Sequence, residues 1–203
     1  VGKEVLNYLI QDHRYDKILV FSRKVIPIEH PKLEIVLDSL TDLKSLSDKI
    51  IGDELYCCLG TTRRKAGSKE AFKKVDLDMP GKLAQMASSN EVDGFIVISS
   101  IGAGKSGRGF YLDVKTSMEE EVSQYPIKRL AIVRPSLLLA SREEYRFSEE
   151  TGKFLDFLTG WVMKGSLRKY KGIKTSTVAR AMIEIMNLDT PKVTWESDEL
   201  QRF

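Results

Sequence analysis

The chain is poor in cysteine, in long apolar runs and in net charge, and each shortage excludes something. It carries two cysteines, Cys57 and Cys58, adjacent in an apolar segment. Neighbouring residues on a strand point to opposite faces, so the two are not expected to bond each other. No metal-ligand spacing accompanies them, and no metal site is expected. Buried, reduced thiols in a cytoplasmic protein is the expectation. No apolar run approaches the ~20 residues that span a bilayer, and no signal peptide is visible. The net charge of +3 is small for 203 residues, with basic and acidic side chains interspersed, so no nucleic-acid footprint is read. Internal repeats, low-complexity tracts and linkers are also missing. The chain therefore reads as a single domain over residues 1–203, with 141–203 supplying the substrate-side and C-terminal helices. Its 42% apolar and 30% charged content is that of a globular protein able to bury a core unaided.

What is present is an alternation of strands and helices. Short apolar runs stand at Lys17 to Phe21, Leu33 to Leu37, Glu54 to Leu59, Phe95 to Ile98 and Leu130 to Val133. Near-continuous runs of this length suit strands of a parallel sheet buried on both faces. Between them, Thr41 is placed to cap a helix bearing Leu43, Leu46 and Ile50, stopped by Gly52. Lys69 to Ser89 reads as helix, with a kink or delayed start at Pro80. After residue 140, Ser141 to Ser148 reads as a charged loop. Phe154 to Met163 forms an apolar stretch that packs on the body, covers substrate or meets a partner, and Thr175 to Asn187 reads as a last helix. The pattern predicts a doubly wound α/β fold with ligands at the carboxyl ends of its strands. Ser22-Arg23, Asp38, Gly60-Thr61-Thr62, Ser99-Ser100 and Arg134-Pro135-Ser136 all fall at such ends.

Two of these groups suggest chemistry. The run ending in Ser99-Ser100 is followed by a glycine-rich turn and then by Tyr111 and Lys115, which share a helix face at i, i+4. A phenol titrates near ~10, and an ammonium ~4 Å away can stabilise phenolate by on the order of 4 kcal/mol. A serine hydroxyl at the strand end can then hydrogen-bond a substrate oxygen. Ser99, Ser100, Tyr111 and Lys115 thus form a candidate proton-transfer set for a carbonyl/alcohol pair.

The second group points to a dinucleotide. The helix from Lys3 to Gln11 precedes the first strand, whereas a dinucleotide-binding unit begins with a strand and a glycine loop. Gly2 reads as the end of that loop, and the first, central strand is expected to be missing from the sequence. At the end of the next run, Ser22, Arg23 and Lys24 offer cations where NAD-preferring sites carry an acid. This favours NADP(H) over NAD(H). Asp38 is placed to contact the adenine or to cap the following helix.

Cys58-Leu59-Gly60-Thr61-Thr62-Arg63, Lys65-Ala66-Gly67, Val75-Asp76, Ser99-Ser100, Tyr111-x-x-x-Lys115, Arg134-Pro135 and Val178-Ala179-Arg180-Ala181-Met182 occur in this order. The chain thereby resembles the atypical short-chain dehydrogenases/reductases, in the Tat-interacting-oxidoreductase-like branch with its epimerase-like relatives. The resemblance implies a Rossmann domain binding NADPH, with Tyr111 as acid/base and Lys115 holding the nicotinamide ribose. Ser100 is the preferred serine, and Leu59, Gly60, Thr61 and Thr62 lie along the cofactor. Asp76 departs from the asparagine found in many members. Two functions follow. One is an NADPH-dependent oxidoreductase of a small carbonyl or alcohol. The other is an NADPH-sensing regulatory protein with little turnover, meeting a protein partner or a second copy through its apolar C-terminal stretch.

Overall fold

The computed structural model describes residues 1–38, 43–139 and 171–203. Thr41, the charged segment from Ser141 to Ser148 and the apolar stretch from Phe154 to Met163 lie outside the described residues.

Helix α1 (Gly2–Gln11) leads into β1 (Ile18–Ser22) and β2 (Leu33–Leu37), which pair in parallel. Next come β3 (Glu54–Cys57), helices α2 (Arg63–Ala66), α3 (Lys69–Lys73) and α4 (Met79–Ser89), and β4 (Gly94–Ile98). Helix α5 (Phe110–Val122) connects β4 to β5 (Arg129–Arg134). The short strands β6 (Leu138–Leu139) and β7 (Ile173–Lys174) pair with each other, a helix spans Thr175–Met186, and β8 (Thr194–Glu196) closes the sheet. Strands β3, β4, β5 and β8 form a four-stranded parallel sheet in that order.

The sheet is covered on both faces, as a parallel sheet requires. Within β4 the faces alternate: Ile96 joins the core built from α1 and the helix Thr175–Met186, while Phe95 and Val97 join the core built from α4 and α5. All three are fully buried. Among the described residues no strand lies between β1 and β3. A cleft of roughly 1210 Å³ stands there, bordered by Val20 and Phe21 on one side and Leu55 and Cys57 on the other.

Several elements differ from the sequence expectation. The segment Leu43–Lys49 is a 3-10 helix, not an α-helix. The break expected near Pro80 is a π-helical turn, Lys74–Asp78, inserted between α3 and α4, with Pro80 in the first turn of α4, where its missing N–H is tolerated. Strands β6, β7 and β8 are too short to leave a readable period.

An ion-pair cluster ties α5 to the far edge of the sheet. Arg134 donates to Glu119 through Nε and Nη2 at 2.9 and 2.5 Å, and to Glu196 of β8 through Nη1 at 3.0 Å. Glu119 is buried, so this fork is shielded from screening water. Removing the carboxylate leaves a partly buried guanidinium short of a partner. Glu119→Ala is expected to lower stability by about 3 kcal/mol in urea unfolding; a loss within experimental error would assign the cluster no structural weight.

Both cysteines are free thiols. Burial pushes the Cys57 thiol up to about 11, against a smaller opposing effect of its hydrogen bond with the backbone of Leu59. At pH 8 only roughly one such thiol in a thousand is ionised. Iodoacetamide is therefore expected to spare Cys57 in the folded protein and to label it in urea, read by mass spectrometry. Rapid labelling without denaturant would contradict the packing of β3.

Candidate active site

Within the four-stranded sheet, the carboxyl ends of β3, β4 and β5 share one edge because the strands are parallel. Tyr111, Lys115, Ser99 and Asp76 are set around this edge. Tyr111 sits in the first turn of α5, 40% exposed, with its ring 5.9 Å from that of Phe72. Phe72 also meets Phe110 at 5.6 Å, so the phenol rests on an aromatic base with its polar end accessible. Lys115, one turn later, is 3% exposed. Its Nζ lies 2.8 Å from Asp76 Oδ1 and donates to the carbonyl of Ile98 at 3.4 Å.

Asp76 is the member of this group whose role the sequence pattern did not reveal. The π-helical turn carries it to a buried position, where Oδ2 also accepts the Thr61 N–H at 2.8 Å. Its signal in the sequence was its place, where the resemblance implies an asparagine. Its pairing with Lys115 is visible only in three dimensions.

The two serines differ in environment. Ser99 is 4% exposed and its hydroxyl has no hydrogen-bond partner among the described residues, while its N–H donates to Val133 O at 2.8 Å. An unsatisfied buried hydroxyl is uncommon and calls for a polar partner. Ser100, the serine preferred from sequence, is half-buried, and its carbonyl accepts the Ala103 N–H at the head of the glycine turn. That turn is bound onto α5. Asp113 Oδ1 accepts the N–H groups of Gly107 and Arg108, and Thr116 Oγ1 accepts that of Gly104. Gly104 has φ +84°, and a Cβ there would stand 2.3 Å from Arg134 Nη2, so no larger residue fits.

The expected cofactor residues fall into two groups. Gly2 heads α1, and a Cβ on it would lie 3.2 Å from Cys58 Cβ, a close helix–strand approach. Ser22 closes a tight turn, donating to Lys24 O at 2.7 Å and accepting from Lys24 N at 3.2 Å, which leaves Arg23 and Lys24 exposed at the end of β1. Asp38 follows β2 and donates its N–H to Ser22 O at 3.0 Å. Beyond β3, Leu59 packs on the α4–α5 core, Gly60 is exposed beside Asp76, and Thr62 caps α2 by accepting the Lys65 N–H. The second group is engaged by the protein itself. Arg134 is held by Glu119 and Glu196, the Pro135 carbonyl accepts the Ile101 N–H, and the Ser136 hydroxyl bonds Lys171 O and the Ser197 hydroxyl.

No protein-family model matches the chain. Protein HTATIP2 of Rattus norvegicus is 32% identical over 195 residues, covering 94% of this chain and 77% of the rat protein. Protein FMP52-1, mitochondrial, of Scheffersomyces stipitis is 30% identical over 70% of the chain and 65% of its own length. Among solved structures, the enzyme WbmH of Bordetella bronchiseptica in complex with NAD+ superposes with TM-score 0.70 at 14% identity, over 97% of this chain and 72% of that one. The oxidoreductase ylbE of Lactococcus lactis gives 0.65 at 20% identity, over 92% and 80%. These establish the α/β Rossmann fold.

The cytoplasmic expectation is corrected by the fungal relatives, which are named as mitochondrial proteins. Reduced thiols and the want of a spanning run describe the folded body. Organelle addresses lie in separate short segments, so composition of the body does not select the compartment. With the strand alternation, the Leu-Gly-Thr-Thr loop and the Tyr111/Lys115 helix all in place, the chain belongs to the HTATIP2 family of atypical short-chain dehydrogenases/reductases.

Proposed function

We propose that the protein is an NADP(H)-dependent oxidoreductase acting on a small carbonyl/alcohol pair, with Tyr111 as proton carrier. One observation carries this reading. An accessible phenol and a buried ammonium one helical turn along share α5, and a buried hydroxyl without a partner among the described residues follows β4, whose Ile98 carbonyl the ammonium reaches.

The residues fit a nicotinamide dinucleotide. Ser99 supplies a buried hydroxyl without a partner among the described residues, Gly2 lets the head of α1 pack closely on Cys58, and Arg23 and Lys24 stand exposed at the strand end. When bound, the cofactor supplies or takes up a hydride. Gly2, Ser22, Arg23, Lys24, Asp38 and Leu59 to Thr62 would hold it, with Lys115 at the ribose. Tyr111 exchanges a proton with the substrate oxygen, and Ser99 orients that oxygen by a hydrogen bond. The complexes of structural neighbours with NAD+ support a nicotinamide cofactor in general. The preference for the phosphorylated form rests on Arg23, whose planar fork suits a 2′-phosphate. A protein that only sensed cofactor would not need the phenol.

The parent protein is expected to bind NADPH more tightly than NADH in fluorescence titration. Arg23→Asp should weaken NADPH by about 2 kcal/mol and reverse the order. Equal affinities in the parent would remove the basis for the NADP(H) assignment.

Tyr111→Phe should leave NADPH affinity nearly unchanged and reduce turnover of an aldehyde and ketone panel by about 10²-fold or more. Full activity in this variant would exclude Tyr111 as the proton carrier. Binding of NADPH with no turnover of any panel member by the parent would support the sensing function instead.

A further inference from the structure

Asp76 bears on the direction in which such a site works. Its carboxylate is 1% exposed and holds Lys115 Nζ at 2.8 Å, while its other oxygen accepts the Thr61 N–H at 2.8 Å. Lys115 also donates to Ile98 O. An isolated ammonium one turn from Tyr111 stabilises the phenolate. An ammonium in contact with a buried carboxylate does so far less, because the phenol then faces an ion pair of zero net charge.

Resting on the oxidoreductase reading above, we propose that Asp76 is a positioning residue that fixes Lys115 and offsets its charge beside the Tyr111 phenol, so that the site favours carbonyl reduction. In that direction the carbonyl carbon gains the cofactor's hydride and the oxygen gains the Tyr111 proton. The carbonyl is reduced by two electrons, the nicotinamide is oxidised by two, and water reprotonates the phenolate. Were the ammonium unpaired, Tyr111 would more readily serve as the base that alcohol oxidation needs.

Among the described residues the other charged and titratable groups around the pair are few. Cys57 on β3 faces both Lys115 and Asp76 and stays a thiol because burial raises it. Arg63 of α2 and Lys69 of α3 lie over the Phe110 ring, at 5.6 and 5.4 Å from its centre, and are solvent-exposed and therefore screened. Asp113 on α5 is occupied by the N–H groups of Gly107 and Arg108. Among the described residues only Asp76 forms an ion pair with Lys115.

Asp76→Asn tests this, since an amide keeps the shape and can still accept the Thr61 N–H. With an aldehyde/alcohol pair from the panel, the ratio of oxidation to reduction kcat at pH 7 should rise about tenfold. The pH at which oxidation reaches half its plateau should fall by about one unit. Equal losses in both directions with an unmoved pH profile would reduce Asp76 to a structural residue and overturn the proposal. A second measurement needs no turnover and survives a failure of Asp76→Asn to fold. The phenolate absorbance of Tyr111, isolated by subtracting Tyr111→Phe, should appear at nearly the same pH in the parent and in the double variant Asp76→Asn/Lys115→Met, which lacks both charges. Appearance at clearly higher pH in the double variant would show that Lys115 acts uncompensated, and would overturn the proposal. Agreement of the two curves in a protein that turns over no carbonyl would uphold the charge assignment of Asp76, and would refute the oxidoreductase reading and with it the preference for reduction.

Discussion

The site depends on the buried ion pair between Lys115 and Asp76. Both side chains are almost fully withdrawn from water, at 4% and 2% exposure. Such a pair persists only where geometry and further hydrogen bonds offset the loss of hydration. Here the offsets come from three directions: the Thr61 N–H on the loop after β3, the Ile98 carbonyl on β4, and the turn of α5 that carries the lysine. Loss of either charge leaves the other stranded, at about 3–5 kcal/mol. The pair therefore fixes the loop that would lie along a cofactor, the strand that ends in Ser99 and the helix that bears Tyr111.

That constraint explains the irregular stretch between α3 and α4. A continuous α-helix from Lys69 to Ser89 would place Asp76 at another angle. The π turn adds a residue to one turn and rotates the helix beyond it. Such turns cost backbone hydrogen-bond quality, and their usual compensation is a side chain placed where function requires it. Val75 and Leu77 on either side pack against the α4–α5 core, which holds the turn in place. On the other flank of α5, Asp113 and Thr116 bind the glycine turn while Glu119 grips Arg134. The helix is thereby held on both sides, and Tyr111 is left as its exposed large side chain in the first turn.

Much of this fold is legible from sequence, for a physical reason. A strand buried on both faces must be apolar throughout, so β4 is found almost to the residue, and Leu33–Leu37, which is only partly buried, is found by its apolar run around Glu34. The helix Thr175–Met186 reveals itself by a buried face at the helical period. Elements whose existence depends on partners far along the chain are not legible. Strand β8 has three residues and exists because Val133 and Arg134 pair with it. The 3-10 geometry of Leu43–Lys49 is set by docking of Leu46 and Ile50 into the α4 core, not by a propensity the segment carries. In the site, Tyr111 and Lys115 are found because their spacing is local. The engagement of Arg134 by Glu119 and Glu196, and of Lys115 by Asp76, joins residues 15, 62 and 39 positions apart, and no local pattern records it.

The same distinction separates what kind of site this is from how it is tuned. The residue types at the end of β4 suit proton transfer beside a strand edge, and the fold alone does not fix the chemistry. What sets the behaviour of a phenol is the net charge it faces, not the presence of a lysine in a motif. A lysine with a free ammonium and one bound to a carboxylate spell the same Tyr-x-x-x-Lys, yet they favour opposite protonation states of the tyrosine. In this chain a single carboxylate, delivered by a one-residue irregularity in a helix, pairs with that lysine. The tuning of the site thus lies in its packing, one layer beneath the residues that would touch a substrate.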